Sequence, residues 1–192
     1  MKPSGTNKPH LIVTVGIPGS GKSFFAEHFA DTFKAPIVSF DRLYKELSSN
    51  IGWKDIQKVA NYMLGEMLKT KQTIIYEGPT DLKTYRIDIS KQARSAGYEP
   101  LFIWIQTEPA TARKRATKPT NDRPALTDEQ FDASWKRFNA PGQSEKTIVI
   151  SGKYTYASQL KIVLKHLVNK PVEINKPASQ TPPPKSRSIL IS

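Results

Sequence analysis

Between Leu11 and Leu167 short apolar runs rich in β-branched and aromatic residues alternate with longer stretches whose apolar residues recur every three or four positions. The short runs are Leu11–Val15, Pro36–Phe40, Thr73–Tyr76, Leu101–Ile105 and Thr147–Ile150. Each is nearly continuous in apolar side chains, as strands covered on both faces should be. The stretches between them read as helices. Trp53, Ile56, Val59, Met63 and Met67 form one apolar stripe over roughly four turns. Phe25, Phe29 and Phe33 mark an earlier helix, and Tyr156 to Leu167 a last amphipathic one. Thr127-Asp-Glu-Gln130 is a capping box ahead of Phe131, Trp135 and Phe138. This order predicts an α/β fold: about five mainly parallel strands with helices on both faces, a three-layer sandwich.

Residues 11–169 are therefore expected to make one domain. Residues 1–10 lack an apolar stretch and read as a flexible arm. Residues 170–192 carry five of the fifteen prolines and read as a disordered tail. Its closing Ile189-Leu190-Ile191 could pair with a partner protein's sheet. At 192 residues, 38% hydrophobic and 24% charged, the composition is that of an ordinary globular chain. Twenty-nine Lys and Arg face seventeen Asp and Glu, a net charge of +12. Arm and tail hold the smaller part of that excess, so the basic character belongs to the domain and favours anionic partners. The absence of cysteine excludes disulfides, Cys-bound zinc, iron–sulfur clusters and thiol nucleophiles. No run approaches the ~20 apolar residues of a membrane helix, and the N-terminus has no secretory core, so we expect a cytoplasmic protein without membrane contact. His10, His28 and His166 share no spacing suited to a metal or a triad.

The chemistry concentrates after the first strand. Gly16-Ile17-Pro18-Gly19-Ser20-Gly21-Lys22-Ser23 matches GxxxxGK[ST], flanked by a strand before and a helix after. Glycines let successive backbone N–H groups curl around phosphates, and the following helix adds its positive end. Lys22 then reaches the β and γ phosphates and the Ser23 hydroxyl ligates Mg²⁺. A P-loop NTPase sandwich follows, with ATP and Mg²⁺ as expected ligands. No Asn-Lys is followed two positions later by Asp, which removes the guanine-reading element of a GTPase. The third strand runs into Glu77-Gly78 rather than Asp-Glu, and no room remains for the helical domain of AAA+ motors.

A small phosphoryl-transfer enzyme needs a base, an acidic group near the metal and mobile cations. Asp41, closing the second strand at the ligand-bearing edge of the sheet, is the candidate base; capping the helix from Arg42 is the other reading. Glu77, closing the third strand, can hold Mg²⁺ through water or orient Thr80 and Asp81 toward an acceptor, or be a plain strand-end carboxylate. Arg113, Lys114, Arg115, Lys118 and Arg123 cluster around Pro119. They fit either a lid over about residues 113–140 or a solvated face.

GIPGSGKS, VSFDRLY, TIIYEGPTDLKTYR, ARKRATK and TDEQFDASWKRFNAP together resemble the P-loop kinases that include polynucleotide 5′-hydroxyl kinases and zeta-toxin kinases, often called AAA-domain ATPases. The resemblance covers about residues 11–169. It implies that Lys22 and Ser23 hold phosphate and magnesium, that Asp41 is the general base, and that a lid arginine clamps the transferring phosphate, Arg115 fitting best and Arg123 next. It implies that Gly152 and Tyr154 border the adenine. Polynucleotide kinases carry an acceptor-binding Arg three residues beyond the base; here that residue is Tyr44, flanked by Arg42 and Lys45. Glu77, Gly78, Pro79 and Thr80 replace the family's Asp-Thr-Asn after the third strand. The leading expectation is an ATP-dependent kinase for a hydroxyl acceptor, with a nucleic acid 5′-hydroxyl slightly ahead of small molecules. Nucleoside or sugar-nucleotide phosphorylation, or a nucleotide-binding ATPase module, are the alternatives.

Overall fold

The structure is a computed structural model that describes residues 8–119 and 125–168. Five strands build its centre: β1 (His10–Val15), β2 (Ile37–Ser39), β3 (Ile74–Glu77), β4 (Glu99–Gln106) and β5 (Ile148–Ser151). All pair in parallel, in the order β2-β3-β1-β4-β5. β1 lies innermost, pairing Leu11 with Ile74 and Val13 with Tyr76 on one side, and Val13 with Phe102 on the other. The P-loop that follows it therefore opens at the middle of the carboxyl edge, where open α/β sheets bind ligands.

Strand alternation divides the core in two. Leu11, Val13, Val15, Ile74, Tyr76 and Phe102 face α2 (Phe40–Leu47), α3 (Trp53–Leu68) and α4 (Lys83–Ser95). Ile12, Ile75, Ile103, Ile105, Ile148 and Ile150 face α1 (Lys22–Phe33) and α7 (Tyr156–Val168). A third cluster joins α5 (Pro109–Ala116) and α6 (Asp128–Arg137), with Ala112, Ala116 and Phe131 packed against Ile17 of the P-loop. The three-layer α/β architecture expected from the strand-helix alternation is present.

Four local expectations change. β2 stops at Ser39, and Phe40 already belongs to α2, because the Ser39 hydroxyl accepts the Arg42 N–H and starts the helix there. β1 begins at His10, so that residue is sheet rather than arm, and the Pro9 carbonyl before it accepts the Glu99 N–H. In α3 the buried line is Ile56, Ala60, Leu64 and Leu68, with Met63 and Met67 alongside it and Trp53 38% exposed. A four-residue step carrying Ala60 lets the helix approach the sheet more closely than Val59 would. β5 is an edge strand covered on one face, which leaves Val149 exposed. Likewise Phe33, the end of its aromatic row, and Trp135, the middle of its own, are exposed. The 170–192 tail, the first seven residues of the arm and Arg123 lie outside the described residues. Among the described residues no helix is long and apolar enough to cross a membrane.

Candidate active site

The P-loop turn is set by close packing. Ser20 N–H donates to the Ile17 carbonyl at 3.1 Å, and Thr107, just beyond β4, donates its hydroxyl to the Ser20 carbonyl at 2.9 Å. Gly19 has φ +76°, and a Cβ there would lie 2.1 Å from the Ala112 carbonyl oxygen of α5. Any side chain would drive the loop and α5 apart. Gly21 sits at the N-cap of α1 with no side chain bonded to the first-turn amides, the arrangement of backbone donors that takes a phosphate. Lys22 places its ammonium 3.1 Å from the Ile17 carbonyl, folded along the loop. Ile17 and Ser20 are buried, so within the motif they pack rather than present side chains.

Glu77 ties three elements together. One carboxylate oxygen accepts from the Ser23 hydroxyl at 2.5 Å, the other from the Ser39 hydroxyl at 2.9 Å. The group is only 2% exposed. Burial raises its pKa above the usual carboxylate range; the Ser23 hydrogen bond opposes this, the charge of Asp41 adds to it, and Lys22 and Ser39 oppose it. Asp41 and Lys22 are thus both electrostatic neighbours of Glu77. Asp41 itself is the second residue of α2, exposed, with Ser39 as the cap. Helix capping is therefore not its role. Ser39, which both caps α2 and donates to Glu77, is a site residue that sequence reasoning missed. Its signal was present in a serine two residues before Asp41, but a strand reading through Phe40 concealed it.

The loop after β3 is held from beneath. Thr80, 2% exposed, donates to the Thr14 carbonyl at 2.8 Å, so its hydroxyl braces the loop instead of facing an acceptor. Arg86 of α4, 1% exposed, forms a two-pronged pair with Glu145 at 2.6 and 2.9 Å and donates to the carbonyls of Thr80 and Asn139, each at 2.9 Å. Asp81 pairs with Arg137 at 2.6 Å, and its carbonyl accepts the Asn139 N–H at 2.8 Å. Nothing in the 83–95 pattern marks Arg86 as buried, since every one of its partners comes from another element.

Around α2, Arg42 pairs with Glu27 of α1 at 2.6 Å, while Tyr44 and Lys45 are exposed. In the basic run, Arg113 is a strut: it pairs with Asp128 and Asp132 and lies 4.9 Å over the Phe131 ring, joining α5 to α6. Arg115 donates to the Gly152 carbonyl at 3.0 Å. A Cβ on Gly152 would fall 2.1 Å from the Ser20 carbonyl oxygen, so this loop, α5 and the P-loop form one wall. Tyr154 in the same loop is exposed. His10, His28 and His166 lie on separate elements, and the described residues contain no group of three or more His, Cys, Asp or Glu suited to a metal.

A parallel sheet with β1, the P-loop and α1 at its centre, and a strand-end carboxylate on the P-loop serine, defines a P-loop nucleotide-binding fold of the kinase-like kind. The chain belongs to the AAA domain family, a P-loop kinase-like family whose model matches residues 11–141. Among solved structures it is similar to a gluconokinase from Sinorhizobium meliloti, at 18% identity and TM-score 0.64, over 85% of this chain and 94% of that one. It is similar to Kti12 from Chaetomium thermophilum in complex with ADP-AlF3, at 15% identity and TM-score 0.62, over 82% and 97% of the two chains. A sugar kinase from Janibacter sp. aligns at 17% identity and TM-score 0.60, over 84% and 95%. No protein of curated function matches the chain.

Proposed function

We propose that the protein is an ATP-dependent kinase that transfers the γ-phosphate to a hydroxyl acceptor. The observation that carries this reading is the convergence of Lys22, Ser23, Glu77 and Asp41 at one point of the carboxyl edge. The loop amides and Lys22 bind the β and γ phosphates, with Lys22 leaving the Ile17 carbonyl for them. Ser23 and Glu77 supply adjacent hard oxygen donors, a hydroxyl and a carboxylate, and so fit Mg²⁺, which keeps most of its waters and uses few protein ligands. When bound, the ion neutralises charge on the phosphates. Asp41, exposed and an electrostatic neighbour of Glu77, accepts the acceptor proton as the acceptor oxygen bonds to γ-phosphorus and the bond to the ADP oxygen breaks. Arg115 and, beyond it, Arg123 are assigned to the charge that develops on the leaving side, and Gly152 and Tyr154 to the adenine border.

The acceptor follows less directly. The net charge of +12 favours the 5′-hydroxyl of a nucleic acid. Tyr44, standing where polynucleotide kinases carry an Arg, and the gluconokinase and sugar kinase similarities favour a small alcohol. We read the protein as cytoplasmic and the 170–192 tail as a protein-binding segment. Incubation with γ-labelled ATP, Mg²⁺ and a panel of 5′-OH DNA, 5′-OH RNA, nucleosides, sugar nucleotides and gluconate tests the reading, with Lys22→Ala as the negative arm. Label on one acceptor class, lost in Lys22→Ala, is the expected result. ATP hydrolysis that no hydroxyl compound alters would identify an ATPase module instead.

A further inference from the structure

Beside the exposed carboxylate of Asp41 lies a small aromatic surface that the proposed transfer does not yet use. Phe40, 6% exposed, is packed by Tyr44 in a stacked contact at 6.2 Å between ring centroids and by Trp53 at 5.4 Å. Tyr44 and Trp53 remain 43% and 38% exposed. At about 100° per residue, Tyr44 projects from α2 between Phe40 and Asp41, one turn further along the axis. On the same helix Arg42 is engaged by Glu27 of α1, and Lys45 stands one turn beyond Asp41. Behind the rings are Leu43, Leu47 and Ile51, which pack into the core. The face one turn from the base therefore offers ring surfaces with the Lys45 side chain beside them, and no further charged group from among the described residues of α2. A polyhydroxylated sugar or sugar acid needs fixed hydrogen-bonding groups to be held, since its hydroxyls lose water on binding. A flat heteroaromatic ring does not, and stacks on Tyr or Trp whatever its identity.

The geometry points to Tyr44, with Trp53, as the platform that holds the nucleobase of the acceptor while its hydroxyl meets Asp41. The acceptor is then a base-bearing alcohol, either a free nucleoside or the 5′-terminal nucleotide of a strand. This rests on the kinase reading above for its hydroxyl, though not for the ring contact itself.

Two measurements keep the two apart. Calorimetric titration of the ADP-saturated protein with adenosine or thymidine, and with strands whose 5′-terminal residue carries or lacks its base, reads ring binding without transfer. Labelled transfer from γ-labelled ATP to the same compounds, with ribose and gluconate as ring-free acceptors, reads the reaction. We expect base-bearing acceptors to bind and be labelled in preference to abasic and sugar ones. Tyr44→Ala should weaken acceptor binding and raise the acceptor KM roughly 5- to 100-fold with a smaller change in kcat. Tyr44→Phe should stay within about two-fold of the parent, and Trp53→Ala should act in the same direction as Tyr44→Ala. Tyr62→Ala, an aromatic 70% exposed on α3 outside the platform, serves as the control and should change nothing. Nucleosides preferred over abasic-ended strands or strands preferred over nucleosides identify the source of the ring. Binding that needs Tyr44 without any transfer would overturn the kinase reading and leave the platform standing. Transfer indifferent to the base and to Tyr44→Ala would overturn the platform and leave the kinase standing, and neither binding nor transfer would overturn both.

Discussion

Asp41 and Glu77 are two carboxylates with opposite surroundings, one exposed on the second position of a helix and the other sealed between two serines. Because Ser39 is the cap, Asp41→Asn removes only a favourable charge at a helix start, about 0.3–1 kcal/mol. A base loses far more, so kcat should fall by roughly 10²–10⁴ while the urea midpoint moves little. Unchanged turnover would remove Asp41 from the reaction. Ser39→Ala should lower stability by about 1 kcal/mol through the lost cap, and it also removes a hydrogen bond to Glu77. Glu77 has its pKa raised in the fold by burial, so the folded protein holds this proton to higher pH than the unfolded chain does. Its contribution to stability therefore declines as pH rises from the ordinary carboxylate range through the raised value. Urea midpoints of the nucleotide-free protein measured against pH should show that decline, and Glu77→Gln should flatten it.

At the scale of elements, two arginines with similar ion pairs have different weights. Arg86 is enclosed and serves Glu145, Thr80 and Asn139 at once, joining α4, the loop after β3 and the segment after α6. Arg86→Met would leave the Glu145 carboxylate, 11% exposed, without its partner and two carbonyls without a donor. We expect a loss of about 3–5 kcal/mol in chemical unfolding. Arg113, 38% exposed, spans α5 and α6 across pairs that solvent screens, so Arg113→Ala should cost much less than Arg86→Met. Equal losses for the two would contradict the burial argument. Arg86 holds the Glu145 carboxyl below the usual range, so this part of the stability is complete at neutral pH and is lost on acidification, the opposite sense to Glu77. The helix pair α5–α6 is attached to the P-loop through Ile17 and Ala112. Changes in α5 should accordingly be felt in nucleotide affinity.

For the whole molecule the charge of +12 makes a prediction about the acceptor. If the base-bearing alcohol is a strand end, binding releases counterions and log affinity should fall linearly with log salt, by about 0.7 per phosphate contacted on a single strand. A nucleoside has no phosphate and should bind with little salt dependence. Fluorescence titrations from low to moderate salt would separate them. The sheet order also explains why one edge collects the chemistry: P-loop, Ser39 and Glu77 leave three adjacent strands, β1, β2 and β3, at their carboxyl ends.

What the chain determines locally was legible in its sequence. The strand-helix alternation, the P-loop and its flanks, the Thr127–Gln130 capping box and the Glu77 strand end depend on short-range pattern and reappear in place. Tertiary structure alone decided what depends on partners far along the chain. It selected Ile56, Ala60, Leu64 and Leu68 as the buried line of α3 because of the surface the sheet offers. It buried Arg86, set Thr80 against Thr14, and made Ser39 both cap and Glu77 donor. It also turned a run of cations into one strut at Arg113 and one contact from Arg115 to Gly152. A residue's local pattern sets its backbone, whereas its burial and its charge partners are set by elements that only folding brings beside it.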